Sequence, residues 1–296
     1  MTFSLIHLSD PHFGGLADVA QIEAVEALVP DLEPQAIVVS GDLTQRARHG
    51  EFQRARAWVR ELSRTAPVYV LPGNHDVQWW RRPFIPFGSA AKYAKYRQYF
   101  GPVLAPTLDL PEALIAGAVT SHGVAWGSVT PRLRDLAVKG HLPRREIRRA
   151  REAFARARPE QARILVVHHN VMRGILSARM GLARWSRAQR RIAASGADLV
   201  LCGHDHQEKV EQLDGLVVAC AGTLCTRSRG GRPSVFFRVI IEDEAIEVEQ
   251  YRWDGAQGGF RHSDRHRFAR RRPAGAAGSV EGKTGNGKRE TETAAP

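Results

Sequence analysis

Five short polar motifs in this chain carry side chains of the kinds that bind divalent metal ions. They are Asp10-Pro-His12, Gly41-Asp42, Gly73-Asn74-His75-Asp76, His168-His169 and Gly203-His204-Asp-His206. Carboxylate and imidazole ligands suit manganese, iron or zinc. Two such ions about 3.5–4 Å apart can hold both the attacking and the leaving oxygen of a phosphoryl displacement. The chemistry that these residue types permit is therefore metal-assisted hydrolysis of a phosphoester.

Each motif alone is weak evidence for a metal ion. An Asp-x-His triplet is frequent by chance, a Gly-Asp pair after a strand is usually a turn, and paired histidines are more often satisfied by the backbone. His204 and His206 would lie on one face of an extended segment, which suits a metal better. Five such motifs, each at the end of a predicted strand, are hard to explain by structure alone and favour a metal site.

The elements that must position these motifs are short apolar runs with strand character. They span residues 3–8, 36–40, 67–71, 164–167 and 198–202, and each ends where a motif begins. Helical patterns at 51–63 and 143–158 lie between them. In α/β sheets, ligands bind beyond the carboxyl ends of the strands, so the motifs should converge on one rim.

Two antiparallel hairpins are also predicted, and they would make the sheets mixed. One pairs residues 113–119 with 124–129, and the other pairs 234–241 with 245–252. Together with the alternating strands and helices, this pattern predicts an α/β fold with a largely parallel component.

Taken together, the motifs resemble the signature of the calcineurin-like metallophosphoesterases over residues 5 to about 240. The resemblance implies a four-layer αββα sandwich of two mixed sheets flanked by helices, with the site at the sheet edges. It implies these metal ligands: Asp10, His12 and His206 for the first ion, Asn74, His168 and His204 for the second, and Asp42 as the bridge. His75 would be the nearby acid, and Asp76 a candidate to orient it.

The mechanism that the resemblance implies is direct hydrolysis by a hydroxide held between two ions of manganese, iron or zinc. Metal binding lowers the pKa of such a water, so no serine or cysteine nucleophile is needed. His169 is interpreted as structural or as a support for a ligand. The histidines that match no motif position are interpreted as structural: His7, His49, His122 and His141.

The substrate is less clearly defined than the chemistry. The opening Leu8-Ser9-Asp10-x-His12, the Gly-Asn-His-Asp block and the length are similar to the bacterial cyclic-nucleotide phosphodiesterase branch. They predict a phosphodiesterase for a small diester such as a cyclic nucleotide. A phosphomonoesterase or a nuclease on the same site is the alternative. A non-catalytic protein-binding scaffold is disfavoured, because no ligand position is missing.

Residues 78–110 are predicted to form a cap or insertion beside the site. Within them, residues 78–100 contain eight aromatic and five basic residues and no acid. This stretch could stack on a base and attract phosphate. Alternatively, it could be a packed insertion with its own small core, and the sequence does not separate the two.

Composition and charge limit the possible partners, the location and the state of the cysteines. The net charge of +12 leaves nucleic acid possible as a partner, but no separate binding module supports it, and oligomeric state is not indicated. No apolar run reaches the ~20 residues of a membrane span, and no signal peptide is recognised, so a cytoplasmic protein is expected. Cys202, Cys220 and Cys225 are interpreted as reduced core thiols.

Two segments divide the chain in this interpretation. Residues 1–260 form the predicted catalytic domain. Residues 261–296 are predicted to be a C-terminal tail that is first basic and then of low complexity, and too poor in large apolar side chains to order itself.

Overall fold

A computed structural model describes residues 2–78, 90–122, 138–176 and 181–271. Twelve strands lie in these ranges: β1 (Phe3–Leu8), β2 (Ala36–Val39), β3 (Val68–Val70), β4 (Thr107–Asp109), β5 (Ala113–Gly117), β6 (Ala162–His169), β7 (Leu199–Gly203), β8 (Lys209–Leu213), β9 (Leu216–Cys220), β10 (Val235–Ile241), β11 (Ala245–Asp254) and β12 (Gly259–Ala269). The α-helices of the same ranges are α1 (Val19–Leu28), α2 (His49–Leu62), α3 (Ala94–Phe100), α4 (Arg144–Phe154) and α5 (Trp185–Ala193).

The strands form two six-stranded sheets, and both are mixed. The first has the order β12-β11-β10-β1-β2-β3, and the second has the order β4-β5-β6-β7-β9-β8. In the first sheet β1, β2 and β3 run parallel, whereas β10 pairs antiparallel with both β1 and β11. In the second sheet the parallel block is β5-β6-β7-β9. The predicted hairpin at 234–252 is confirmed, while residues 124–129 of the other one lie outside the described residues.

The apolar faces of the two sheets meet in a shared core, which contains Leu5, Val38, Ile164 and Leu201 among its fully buried residues. The opposite face of the first sheet is covered by α1, α2 and α3, and that of the second by α4 and α5. Helix α2 covers the sheet because one of its faces is apolar. Its residues Phe52, Ala55, Trp58 and Leu62 recur at helical spacing and are all buried. The predicted four-layer αββα sandwich is confirmed.

The predicted domain boundary at residue 260 was wrong. Residues 259–269 form β12, an edge strand paired antiparallel with β11 along its length. Phe260 is buried. The arginines that gave this segment its basic character pair with acids on β11 or just before it, as in Arg265–Glu249 at 2.8 Å and Arg267–Glu242 at 2.6 Å. The sheet therefore extends to Ala269. Residues 272–296 of the predicted tail lie outside the described residues.

Within the part of the chain that the structure describes, no helix combines the length and the apolar character that crossing a bilayer requires.

Candidate metal centre

The five motifs meet at one rim that both sheets share. Asp10, Asp42 and Asn74 follow β1, β2 and β3 of the first sheet, and His168 and His204 lie at the ends of β6 and β7 of the second. Asp42 is central: its Oδ2 is 3.3 Å from Nε2 of His168 and 3.8 Å from Nε2 of His12. The convergence predicted from the strand ends is thus present in the structure.

One half of the cluster consists of Asp10, His12 and His206. The Nε2 atoms of the two histidines are 3.1 Å apart, and Oδ1 of Asp10 is 3.7 Å from the first and 3.4 Å from the second. His206 donates its Nδ1 proton to the carbonyl of Arg227 at 2.8 Å, which leaves the Nε2 lone pair directed at the cluster. Three donor atoms therefore converge on one point.

The other half consists of Asn74, His168 and His204. Nε2 of His168 lies 3.1 Å from Oδ1 of Asn74, and the rings of His168 and His204 have centroids 5.1 Å apart. His168 donates Nδ1–H to the carbonyl of Ser40 at 2.8 Å. As in His206, a backbone carbonyl fixes the tautomer and leaves Nε2 available as a ligand.

The donor set fits a metal ion at each half. Asp10 is fully buried, yet its Oδ1 has no hydrogen-bond partner among the described residues. A buried carboxylate oxygen without a partner is costly unless a cation compensates it. Asp42 belongs to two groups whose ligand atoms lie within 4.8 Å of one another, Asp10-Asp42-His168 and His12-Asp42-His75. Two adjacent cations would satisfy this arrangement.

The electrostatics of the cluster favour positive charge beside Asp42. Burial would raise the pKa of Asp42, but His168 and His75 outweigh burial and hold it well below its usual value. Burial would likewise lower the pKa of His168, but the Asp42 carboxylate outweighs that effect and raises it to about 9. His12 behaves differently, because burial dominates over Asp42 and Asp10 and lowers its pKa to about 4.

The backbone of the ligand loops is unusual. Five residues of the predicted ligand set have positive φ: 54° at Asp10, 47° at His12, 52° at Asp42, 74° at His204 and 53° at His206. Non-glycine residues adopt this left-handed region infrequently, because Cβ approaches the neighbouring carbonyl. The tight turns after β1, β2 and β7 aim these side chains back over the strand ends.

Glycines next to the ligands allow the loops to approach one another. A Cβ atom on Gly73 would lie 2.0 Å from Oδ1 and 2.2 Å from the backbone nitrogen of Asp42. A Cβ on Gly203 would lie 1.9 Å from Oγ of Ser9 and 2.6 Å from Oδ2 of Asp10. Any side chain at these positions would collide with a carboxylate of the cluster or with the group that holds it.

Gly73→Ala is therefore expected to destabilise the fold by about 1–3 kcal/mol, the usual cost of forcing extra volume into a packed site. The expected readout is a lower melting temperature together with a loss of bound metal. Gly50→Ala is the matched control, because nothing lies within 4 Å of a Cβ at this position in α2. It should be neutral or stabilising by up to about 1 kcal/mol. Equal melting temperatures for the two variants would contradict the steric argument.

Asp76 does not orient His75, contrary to the prediction. Its Oδ1 accepts hydrogen bonds from the backbone N–H and the hydroxyl of Thr44, and its Oδ2 accepts from the N–H groups of Leu43 and Gly73. Fully buried, Asp76 ties the loop after β2 to the loop after β3. Burial, reinforced by Asp42, raises the pKa of Asp76 to about 6.

The carbonyl of Gln45 orients His75 instead. It accepts a hydrogen bond from Nδ1 of His75 at 2.7 Å. The His75 ring stands edge-on to that of His12, with centroids 4.8 Å apart. His75 thus lies at the cluster, and Nε2 is the ring nitrogen that Gln45 does not engage.

His169 has the structural role that was predicted for it as one of two options. Its Nδ1 lies 2.8 Å from the hydroxyl of Thr120 and its Nε2 lies 3.1 Å from the carbonyl of Val138. Both ring nitrogens are thus engaged, although its ring lies only 4.4 Å from that of His204. Similarly, His122 is held by the carbonyl of Val119 at 2.9 Å.

The described part of the aromatic stretch is packed. Helix α3 places Tyr96 in the core of the first sheet's helical layer, and Tyr99 stacks on Phe52 of α2 with ring centroids 5.5 Å apart. Residues 90–100 therefore follow the packed-insertion alternative. Residues 79–89, which carry the two adjacent tryptophans, lie outside the described residues.

Two neighbours of the cluster were not predicted from the sequence. Cys225 was interpreted as a core thiol, but its sulfur lies within 4.8 Å of ring nitrogens of His12 and His206. The loop at 227–230 lines a cavity of about 420 Å³ together with Asp42, Asn74, His75, Val138, His204 and His206. No motif signals this loop, which lies in the connection from β9 to β10, and only the second of these was predicted as a strand.

Comparisons with known proteins agree with this geometry. The family model described as calcineurin-like phosphoesterase matches residues 3–208. A probable cyclic nucleotide phosphodiesterase from Synechococcus is 29% identical over 84 residues, an alignment that spans 26% of this chain and only 32% of that relative.

Among solved structures, a dimetal phosphatase from Danio rerio superposes with a TM-score of 0.64 at 11% identity, covering 91% of this chain and 99% of the other. GAP50 of Plasmodium, described as the anchor in the inner membrane complex, has a TM-score of 0.56 at 11% identity, covering 91% and 89%. At such identities the likeness is one of fold alone. The family match over residues 3–208 is what assigns membership: this chain belongs to the calcineurin-like phosphoesterase family.

Proposed function

We propose that this protein hydrolyses small phosphodiesters with two metal ions of manganese, iron or zinc held at the candidate metal centre. The observation that carries the proposal is the position of Asp42, whose Oδ2 lies 3.8 Å from Nε2 of His12 in one half of the cluster and 3.3 Å from Nε2 of His168 in the other. A carboxylate so placed can bind two cations at once. The ions would supply charge stabilisation at the phosphoryl group and would acidify a water molecule.

The residue roles follow from the two halves of the cluster. Asp10, His12 and His206 would hold one ion, and Asn74, His168 and His204 the other, with Asp42 shared. The Ser40 and Arg227 carbonyls would keep His168 and His206 in the ligating tautomer. The arrangement needs no side-chain nucleophile, and all seven positions carry suitable ligands.

His75 would act as the proton donor to the leaving oxygen. Its Nδ1–H is committed to Gln45, its side chain lines the 420 Å³ cavity, and Nε2 remains for substrate. Asp76 would contribute indirectly, since it holds the loop that carries His75 but bonds backbone and Thr44 rather than the ring.

The cavity suits a small anionic substrate with an apolar part. Exposed Arg227 lines it on one side and half-exposed Val138 on another, and Arg229 is tied to Asp205 by an ion pair of 3.4 Å. A cyclic nucleotide combines one charged diester with a flat aromatic base, whose faces can pack against an apolar side chain. The partial likeness to a probable cyclic nucleotide phosphodiesterase supports the same choice.

Two alternatives use the same fold. A phosphomonoesterase or nuclease would need only a different fit of substrate around the same ions. A non-catalytic role is the second alternative, and a fold neighbour is described as an anchor. The complete ligand set and the unpartnered Oδ1 of Asp10 favour catalysis, because a scaffold has no need of a costly buried charge.

A side-by-side assay tests the proposal. Bis-nitrophenyl phosphate, nitrophenyl phosphate and single-stranded DNA are incubated with the protein and added Mn²⁺, with and without prior chelation. Faster turnover of the diester, lost on chelation and restored by Mn²⁺, is expected. Preference for the monoester or for DNA would support the corresponding alternative. Full activity after chelation, with no metal found by elemental analysis, would end the metal proposal.

A further inference from the structure

A chain of buried hydroxyl groups runs from β1 and β2 to the metal centre. Oγ of Ser9 lies 2.5 Å from Oδ2 of Asp10, Oγ of Ser40 lies 2.9 Å from Oγ of Ser9, and Nε2 of His7 lies 3.0 Å from Oγ of Ser40. All four side chains are at most 1% exposed. His7 matches no motif and would otherwise be a buried polar residue without a role.

The direction of every proton in this chain can be derived. Oδ2 of Asp10 accepts the hydroxyl of Ser9 and the backbone N–H of His204, because an ionised carboxylate has no proton to donate. Ser9 has one proton, so it must accept from Ser40. The single proton of Ser40 favours Ser9 at 2.9 Å over the carbonyl of Leu8 at 3.5 Å. Ser40 must therefore accept from Nε2–H of His7.

This assignment fixes the tautomer of His7. The ring is neutral, because burial outweighs the nearby Asp10 charge and lowers the pKa of His7 to about 3. With the proton on Nε2, Nδ1 is a bare acceptor, and it has no partner within the described ranges of the chain. Leaving a buried ring nitrogen unpaired is unfavourable, so packing alone does not account for a histidine here.

The chain also joins the two halves of the metal centre. The hydroxyl of Ser40 leads through Ser9 to Asp10 in the first half, while the carbonyl of the same residue accepts Nδ1–H of His168 in the second. Oδ2 of Asp10 is further held by the backbone N–H of His204 at 2.9 Å. With Oδ2 saturated by these two donors, Oδ1 is the oxygen presented to a cation.

We propose that His7 is a positioning residue of the metal centre, which through Ser40 and Ser9 fixes the Asp10 carboxylate for the first metal ion. The proposal rests on the function proposed above, because it assigns Asp10 as a ligand. Groups that orient a ligand in this way typically contribute 10–100-fold to metal affinity. A histidine can fill this role through its N–H donor, which an apolar side chain of similar size lacks.

Titration of the metal-depleted full-length protein with Mn²⁺ alone, followed by electron paramagnetic resonance, tests the proposal. A pair of adjacent Mn²⁺ ions gives a spin-coupled signal, and a single ion gives an uncoupled six-line signal. His7→Leu is expected to lower the Mn²⁺ affinity of the first site by roughly 10–100-fold. At Mn²⁺ concentrations that already give the coupled signal in the wild type, this variant should still show the six-line signal. His7→Gln keeps an N–H donor near the Nε2 position and should restore the coupled signal.

Two further variants complete the design. Ser9→Ala cuts the last link with a minimal change in volume, and an unchanged Mn²⁺ affinity in this variant overturns the role of His7 even if His7→Leu does not fold. Leu5→Ala opens a cavity on the same face of β1 without touching the chain of hydroxyls, so it should lower the melting temperature and leave Mn²⁺ affinity unchanged.

The outcomes separate this inference from the proposed function. A wild type that never forms the coupled pair refutes the dinuclear proposal itself. A coupled wild type with unchanged affinity in His7→Leu and Ser9→Ala overturns only the role of His7. The role of His7 is also overturned if His7→Gln binds Mn²⁺ as weakly as His7→Leu, or if Leu5→Ala loses Mn²⁺ affinity to the same degree. Either result would mean that His7 has a purely structural role.

Discussion

Replacing Asp42 by alanine is expected to lower phosphodiester turnover by more than about 10³-fold. Both ions would lose an anionic ligand, metal ions contribute several kcal/mol of charge stabilisation, and each ~1.4 kcal/mol corresponds to a factor of ten in rate. The side chain also accepts the N–H of His75 at 2.8 Å, so its removal loosens the loop that carries His75. Turnover with saturating Mn²⁺ and metal content per chain are the measurements.

Asn74→Ala is the matched comparison. It removes a neutral oxygen from one ion only, and Asn74 lies 3.1 Å from the His168 ligand atom, within the same half of the cluster. Added Mn²⁺ should rescue much of its activity by mass action, whereas Asp42→Ala should not be rescued. If Asp42→Ala kept near-normal turnover, Asp42 would not be the carboxylate that bridges the two ions.

His75→Ala is expected to slow hydrolysis by an amount that depends on the leaving group. General-acid assistance is worth ~10²–10⁴-fold, and the full factor should be lost with a sugar or alkyl diester, whose alkoxide leaves poorly without a proton. Nitrophenolate is a stable anion, so the loss with bis-nitrophenyl phosphate should be markedly smaller. Paired rate measurements on the two substrates, with elemental analysis of the same samples, make the comparison.

The metal content distinguishes the other roles that His75 could have. It should stay near that of the wild type if His75 is the proton donor, because all seven proposed ligands remain in the variant. An equal loss on both substrates would instead indicate stabilisation of charge at the phosphoryl group. A loss of bound metal would make His75 a ligand or a support of one.

The central parallel strands and the site were accessible from sequence for a common reason. A strand buried on both faces is a nearly continuous apolar run, so its end is abrupt and the first polar residue after it is conspicuous. Asp10, Asp42 and His204 each follow such a run. Because parallel neighbours end at the same edge, linear position was enough to predict spatial convergence.

Edge strand β12 was not accessible in this way. It has one buried aromatic residue, Phe260, and it alternates charges that look like a basic tail when read alone. Those charges are matched by Glu247 and Glu249 on β11 and by Glu242 before it, with Arg265 contacting the first two. Cross-strand pairing depends on register, which a linear sequence does not display.

The role of Asp76 was missed for a related reason. Three of the four hydrogen bonds that it accepts come from backbone N–H groups, those of Leu43, Thr44 and Gly73. Backbone donors are present in every residue except proline, so the sequence does not show which of them will be used. Proximity in sequence to His75 suggested a side-chain pair. The loop geometry that separates them follows from tertiary contacts alone.

The left-handed backbone at five of the proposed ligand positions implies a trade-off between activity and stability. Each such residue costs roughly 1–2 kcal/mol relative to an ordinary conformation, a cost that glycine does not incur. A variant such as His12→Gly would thus remove a proposed ligand and at the same time relieve the strain of the turn, where φ is 47°. Selection of this chain for thermostability alone, without an activity screen, would accordingly tend to enrich substitutions that dismantle the metal centre.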